Sequence, residues 1–297
     1  MGGSPDPAGR AATDPPDPVH VLSALGLPVP EALQPLLGGA DTLMWRVQIE
    51  GRPYVLRVLG PRADARCDRE TASARAAAAG GMPVPGVRVR GRFGDRPVLL
   101  LDWCPGEPIL DALAARPPDA RRLGRLFGIV QARLHALAAP AGHATAWLDA
   151  GGPAAEPVRD RLRALGLRTD ALIHLDYHPL NVLTDGVHIT GVIDWDKGGG
   201  GDPRADLART FTILRLDARR PGFVSPLVAA ALMRFEVGWR EGYGEAGTAV
   251  DDRRLAAFHA WAALAMEQDL AGRRDPAFFR GVRAFAVRWA ARAGVRL

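Results

Sequence analysis

Asp176, Asn181 and Asp194 are the residues of this 297-residue chain whose types and spacing could do chemistry together. They fall in the stretch HLDYHPLNVLTDGVHITGVID, which runs from His174 to Asp194. An acid, then an amide, then a second acid is the order of base, metal ligand and metal ligand used in phosphoryl transfer. That chemistry needs a group to orient an acceptor hydroxyl and receive its proton, and a divalent cation held by oxygen ligands to offset the triphosphate charge. Asp176 is the expected catalytic base, with Asn181 and Asp194 as ligands of Mg2+. A loop between strands can aim the first two at one place, and the apolar pair Val192-Ile193 carries the third out of the core.

A second reading takes His174, Asp176 and His178, which alternate along an extended chain, as three ligands of a metal-dependent hydrolase. Pro179 weighs against it, because it fixes its own backbone and restricts His178, as suits a structured loop. Asn181 is also a poor zinc ligand.

The elements that must position these groups can be read along the chain. Residues 1–18 are rich in Pro, Gly, Ala and Asp and are expected to form a disordered tail. A short helical entry is expected around Leu22 to Leu37, and then comes Leu37-Gly38-Gly39-Ala40-Asp41-Thr42. There the backbone of Gly38 and Gly39 can approach phosphate oxygens, and Thr42 adds a hydroxyl. Strands follow at 45–49 and 54–59 about a Glu50-Gly51-Arg52 turn. Val55 and Arg57 share a strand face, so one can cover an adenine ring while the other reaches the phosphates. Lys197 is the only lysine in the chain, so a phosphate-binding cation in this half has to be an arginine. If Arg57 fails in that role, the chain is instead a nucleotide-binding pseudoenzyme.

The Ala-rich stretch 63–79 predicts a helix ended by Gly80-Gly81, with Glu70 placed to pair with Arg57. Two more strands are expected at 86–92 and 97–101. The Asp102-Trp103-Cys104-Pro105-Gly106 break reads as a hinge, where the backbone groups of Asp102 to Cys104 can meet a purine edge. The expected division is therefore a nucleotide-binding lobe at 19–102 and a catalytic and substrate-binding lobe at 103–297. Leu123, Leu126, Phe127, Val130, Leu134 and Leu137 mark the apolar face of a long helix; His135 on it reads as a packing residue. The C-terminal third reads as helical, with Leu214, Leu227, Leu232, Phe235, Trp239, Leu255, Phe258, Trp261, Leu264, Phe285 and Trp289 as core candidates.

Composition narrows the partners. The net charge is +5 and the sequence pI about 9.9, but the arginines are spread along the chain and no nucleic-acid motif accompanies them. With no apolar run near 20 residues and no basic-plus-apolar leader, a soluble cytoplasmic protein is expected, with no membrane, nucleic-acid or protein partner. Cys67 and Cys104 are too few for a disulfide scaffold.

The chain resembles the aminoglycoside phosphotransferase family, the small-molecule branch of the protein-kinase-like fold. The motifs that carry the resemblance are His174-Leu175-Asp176-Tyr177-His178-Pro179-Leu180-Asn181, Ile193-Asp194-Trp195-Asp196 and Gly201-Asp202-Pro203-Arg204-Ala205-Asp206-Leu207-Ala208. It implies an α+β, bilobal protein-kinase-like fold, with an antiparallel-sheet N-lobe and a mainly helical C-lobe. It also implies ATP or GTP as cosubstrate, Mg2+, and a small-molecule hydroxyl acceptor, an antibiotic or related metabolite. Residue by residue, it makes Asp176 the base, Asn181 and Asp194 the magnesium ligands, Arg57 the phosphate-binding cation and Glu70 its helix partner. His174 and Asp206 become supports of the catalytic loop. The chain departs from the pattern at Asp41-Thr42, where Ser-Asn is frequent, and at Arg57, where lysine is commoner. Only twelve positions separate Asp194 from Asp206, too few for the activation loop of a protein kinase.

Residues 205–297 carry ten Asp/Glu against fifteen Arg. That excess of positive charge predicts a neutral or weakly cationic acceptor ahead of a polycation.

Overall fold

A computed structural model describes residues 15–36, 42–218, 222–247 and 249–297. The expected tail lies almost wholly outside the described residues. Contacts divide the chain into two units, one formed by residues up to Asp64 with Val87–Trp103, the other by Ala65–Gly86 with Cys104–Leu297.

The first unit is built on a five-stranded antiparallel sheet of strands β1 (Ala32–Leu36), β2 (Leu43–Ile49), β3 (Arg52–Val58), β4 (Val87–Phe93) and β5 (Arg96–Asp102), in the order β1-β2-β3-β5-β4. Glu50 and Gly51, both at positive φ (49° and 71°), make the two-residue turn between β2 and β3, as a hairpin with right-handed strand twist requires. Helix α1 (Pro18–Ala24) starts on Asp17, whose carboxylate accepts the Val19 N–H at 3.1 Å, with Pro18 in the first turn. It packs Val21 and Leu22 against Trp45, Val47, Leu56, Val58, Val98 and Leu100. The helical entry expected from Leu22 to Leu37 is thus corrected: the helix ends at Ala24, and Ala32–Leu36 pairs with β2 as an edge strand. Four of its five residues are exposed, and Pro35 is tolerated because an edge leaves some N–H groups unused.

The second unit is mainly helical. Helix α2 (Asp64–Ala79) and the turn after it, which a single cut at residue 102 would leave with the sheet, belong here. Ala74, Ala77 and Met82 join its core, and the Val192 N–H donates to Pro83 O at 2.7 Å. The remaining helices are α3 (Ile109–Ala115), α4 (Ala120–His135), α5 (Glu156–Arg163), α6 (Pro203–Thr212), α7 (Pro226–Ala246), α8 (Ala256–Asp269) and α9 (Pro276–Arg292). Three start with a polar N-cap followed by proline: Asp202-Pro203, Ser225-Pro226 and Asp275-Pro276. Short strands β6 (Glu107–Pro108), β7 (Ala171–Ile173), β8 (Val182–Thr184), β9 (Ile189–Val192) and β10 (Gly199–Gly201) carry the loops between them.

Helices α4 and α7 cross with backbones in contact. A Cβ on Gly124 or Gly128 would stand 2.1 Å from a carbonyl oxygen of α7, and one on Gly238 or Gly242 would stand 2.0 or 1.9 Å from a carbonyl oxygen of α4. Only glycine permits that approach. Among the expected core residues, Leu227 is corrected to the surface, 63% exposed at the start of α7, whereas the other ten are buried.

No helix among the described residues is long and apolar enough to cross a membrane.

Candidate active site

Strand β7 delivers His174, and the chain then turns through Leu175 in the left-handed region (φ 62°). A non-glycine residue there costs about 1–3 kcal/mol and needs outside support. Both peptide groups of Leu175 have it: its N–H donates to Asp206 Oδ1, and its carbonyl accepts from Arg209 Nε at 3.2 Å. The turn brings out Asp176, while Tyr177 goes inward, its hydroxyl donating to Phe127 O at 2.9 Å.

Asp206 is fully buried on α6. Its Oδ2 accepts from His135 Nε2 at 2.8 Å and from Gln131 Nε2 at 3.2 Å, both on α4. His135 Nδ1 lies 2.8 Å from the Tyr243 hydroxyl, and Trp239 Nε1 donates to Gln131 Oε1 at 2.7 Å. The close crossing of α4 and α7 makes both links possible: Gln131 follows Gly128 within a turn, His135 lies about two turns on, and Trp239 and Tyr243 are within a turn of Gly242. Burial pushes the Asp206 carboxyl up, but His135, His174 and Gln131 outweigh it and hold the group below its ordinary value. His135, expected as a packing residue, therefore packs and also orients Asp206.

His174 is wholly buried with both ring nitrogens engaged. Nε2–H donates to Ile193 O at 3.0 Å, and Nδ1 accepts the Asp176 N–H at 3.3 Å. A carbonyl only accepts, so the proton sits on Nε2. A histidine in this state has no lone pair to offer a metal, and among the described residues no group of three or more His, Cys, Asp or Glu side chains could hold one. The His174-Asp176-His178 metal face is therefore corrected: the ring of the first member is turned into the core.

Ile193 ties the three oxygen-bearing residues together. Its carbonyl takes His174, its N–H donates to Asn181 O at 2.9 Å, and the next residue is Asp194, again left-handed at φ 64°. The Asn181 side-chain amide donates to Asp176 O at 3.0 Å and reaches Asp176 Oδ2 at 3.3 Å and His178 Nε2 at 3.2 Å. With its nitrogen directed there, the amide oxygen is the atom left to a cation, which is what a hard-metal ligand requires. Asp196, two residues on, is pushed up by burial and by the neighbouring Asp194 charge, while Arg66 opposes the shift through an ion pair of 2.7 Å.

The Asp176 carboxylate is about a quarter exposed. Burial raises its pKa, yet His178, Lys197 and Arg209 together hold it well below the usual carboxylate range. His178 Nε2 is 3.6 Å from Oδ2, and Arg209 Nη2 is 3.9 Å from Oδ1. Lys197 bonds Asp269 Oδ2 at 2.8 Å, and Arg209 meets the same oxygen at 2.7 Å. Sequence reading missed Arg209, Asp269 and Arg66 in this arrangement; Arg209, directly after the Asp206-Leu207-Ala208 motif, carried the one local signal.

In the first unit, Val55 and Arg57 of β3 lie on the sheet face opposite the α1 core, with Arg57 buried and paired in register with Leu99 and Met44. Glu70 sits on α2 in the other unit. Thr42 is buried just before β2. Asp102 ends β5, where its carboxylate is 2.6 Å from Arg88 Nε, and Trp103 N–H donates to Pro53 O at 3.4 Å. Cys104 opens the second segment of the second unit. Gly38 and Gly39 lie outside the described residues.

An antiparallel five-stranded unit joined to a helical unit bearing Asp176, Asn181 and Asp194 on one braced loop system defines a kinase-like protein of the small-molecule type. The chain belongs to the phosphotransferase enzyme family, whose sequence profile matches residues 32–169 and 152–259. It is 32% identical over 139 residues to viomycin phosphotransferase of Streptomyces vinaceus, a match covering 38% of this chain and 48% of that protein. Solved structures share the fold at low identity. A thermostable mutant of aminoglycoside phosphotransferase APH(4)-Ia, in ternary complex with AMP-PNP and hygromycin B, superposes with a TM-score of 0.66 at 19% identity, over 93% of this chain and 97% of that one. Macrolide 2'-phosphotransferase MphH from Brachybacterium faecium gives 0.54 at 16% identity, over 90% and 97%.

Proposed function

We propose that this chain transfers the γ-phosphate of ATP or GTP to a hydroxyl of an antibiotic or related small metabolite. The observation that carries the proposal is the Ile193 link, which sets Asn181 and Asp194 side by side while the Asn181 amide holds the Asp176 peptide.

Asn181 Oδ1 and the Asp194 carboxylate would hold Mg2+, which when bound offsets charge on the phosphate oxygens. Asp176, kept ionised by its cationic neighbours, orients the acceptor hydroxyl and receives its proton at a carboxylate oxygen. A carboxylate with so low a pKa is a weak base, so it acts mainly by positioning, which suits a loose phosphoryl transition state. Leu175 holds Asp176 in place, fixed in turn by Asp206 and Arg209, while His174 fixes the other side of the loop. Arg57 and Val55 supply the phosphate cation and an apolar cover for the base. Gly38, Gly39 and Thr42 cradle the phosphates, Glu70 orients Arg57, and the backbone of Asp102 to Cys104 meets the purine edge. The known actions of the relatives, on viomycin, aminoglycosides and macrolides, support an antibiotic-like acceptor. A cytoplasmic location, where ATP and GTP are supplied, belongs to the same proposal.

The test is nucleotide consumption with magnesium against a panel of antibiotics and hydroxylated metabolites, read by mass spectrometry. A product carrying one added phosphoryl group is expected. Nucleotide binding with no phosphorylated product from any acceptor would favour a pseudoenzyme instead.

A further inference from the structure

The second unit contains a cavity of ≈ 330 Å³ whose lining includes Leu175, the residue before Asp176. Four cations line it, Arg66, Arg69, Lys197 and Arg209, against two acids, Asp196 and Asp269. Both acids are already paired with cations of the lining: Arg66 holds Asp196 at 2.7 Å, and Lys197 and Arg209 hold Asp269 at 2.8 and 2.7 Å. Acids further along the helical region also have arginine partners. Glu236 pairs with Arg215, Glu241 with Arg121, Glu245 with Arg125, Asp251 with Arg254, Asp252 with Arg240 and Glu267 with Arg283.

Four residues of the lining also carry buried polar atoms that lack partners. Trp261 Nε1, Arg209 Nη1 and Arg66 Nε are buried atoms with no hydrogen-bond partner among the described residues, as is Thr145 Oγ1. Trp261 is 1% exposed and Arg209 5%. The three nitrogens can only donate, so a ligand that satisfies them must bring accepting oxygens. An ammonium group brings only donors and adds charge to a wall already rich in cations.

We infer that this cavity selects the acceptor, and that it takes an oxygen-rich molecule of neutral or negative charge, a carboxylated or polyhydroxylated compound, with Trp261 Nε1 and Thr145 Oγ1 among the groups that bind it. The inference rests on the kinase reading for the word acceptor, but the charge preference is a property of the cavity itself.

Saturation-transfer NMR on the full chain without nucleotide tests the preference with three sugars of one size: D-glucuronate, D-glucose and D-glucosamine. Glucuronate should bind most tightly and glucosamine most weakly. Trp261→Phe, which keeps an aromatic ring but loses the five-membered ring with its N–H, should weaken glucuronate about tenfold, the effect of one hydrogen bond to a charged group. Thr145→Val gives a second reading, again with weaker binding, should the tryptophan variant fold poorly. Glucosamine binding more tightly than glucuronate, no glucuronate binding at all, or wild-type affinity in the variants would overturn the inference. Because no phosphoryl transfer is involved, these results stand apart from the magnesium-dependent turnover that decides the kinase reading.

Discussion

Asp206 accepts a hydrogen bond from the backbone N–H of Leu175, a leucine held at a φ of 62°. The acid lies on α6 and the leucine on the loop that presents Asp176, so the buried carboxylate sets the direction of the chain just before the candidate catalytic group. The same carboxylate gathers His135 and Gln131 from α4, and through them Tyr243 and Trp239 of α7. Three helices thus fix one turn.

Asp206→Ala should destabilise the protein by about 3 kcal/mol, since it leaves buried donors of Leu175, His135 and Gln131 without an acceptor. Turnover should fall more steeply than nucleotide affinity, because the loop that loses its brace carries Asp176. Denaturant unfolding and steady-state kinetics check the two parts. A variant with wild-type stability would mean that the loop is held by Arg209 and His174 alone.

Gly128→Ala should cost about 1–3 kcal/mol through overpacking, because the new methyl group would meet Trp239 O at 2.1 Å. The same change at Gly281, where a Cβ meets nothing within 4 Å, should be neutral or stabilising. Thermal unfolding of the two variants side by side measures the difference, and equal melting temperatures would refute the close crossing.

Much of this arrangement was legible in the sequence where the signal is local. The β2–β3 turn at Glu50-Gly51, helix α2 ended by Gly80-Gly81, and the spacing of Asp176, Asn181 and Asp194 are patterns of neighbouring residues, and the chain folds as they suggest. Strand β1 was illegible because an exposed edge with Pro35 inside it lacks the alternation that marks a half-buried strand. Asp206 was legible as a support of the loop, but its partners on α4 and α7 were not, because Gln131 and His135 meet Trp239 and Tyr243 across more than one hundred residues. The trace of that meeting in the sequence was the paired four-residue glycine spacing, Gly124 with Gly128 and Gly238 with Gly242. The Arg66–Asp196 pair had no local trace, since an arginine on an Ala-rich helix reads as solvated surface.

Acid stability should depend on Asp252. Burial raises this carboxyl, but His259 and Arg240 outweigh it and bring it down to about 2. A depressed value means that the ionised form stabilises the fold above the ordinary carboxylate pKa near ~3.9, and that the contribution is lost as pH falls through about 2. Wild type and Asp252→Asn should differ by about 1 kcal/mol at pH 6, after allowance for solvent screening. The difference should shrink between about pH 4 and pH 2. Denaturant titrations at both ends of that window check the sign, and a gap that widens in acid would reverse it.

Asp194→Ala should abolish magnesium-dependent nucleotide binding, because it removes the only full negative charge of the Asn181–Asp194 pair proposed to hold the cation. Calorimetry of ATP with and without magnesium measures this. Unchanged magnesium dependence would move the metal site elsewhere.

The most direct measurement is phosphoryl transfer by Asp176→Asn, compared with wild type on the same acceptor and with nucleotide affinity measured in parallel. If Asp176 orients and deprotonates the hydroxyl while Asn181 and Asp194 hold the metal, turnover falls by about 10²-fold or more and nucleotide affinity stays nearly constant. Near-normal turnover in the variant would contradict the assignment of this loop as the phosphotransfer centre.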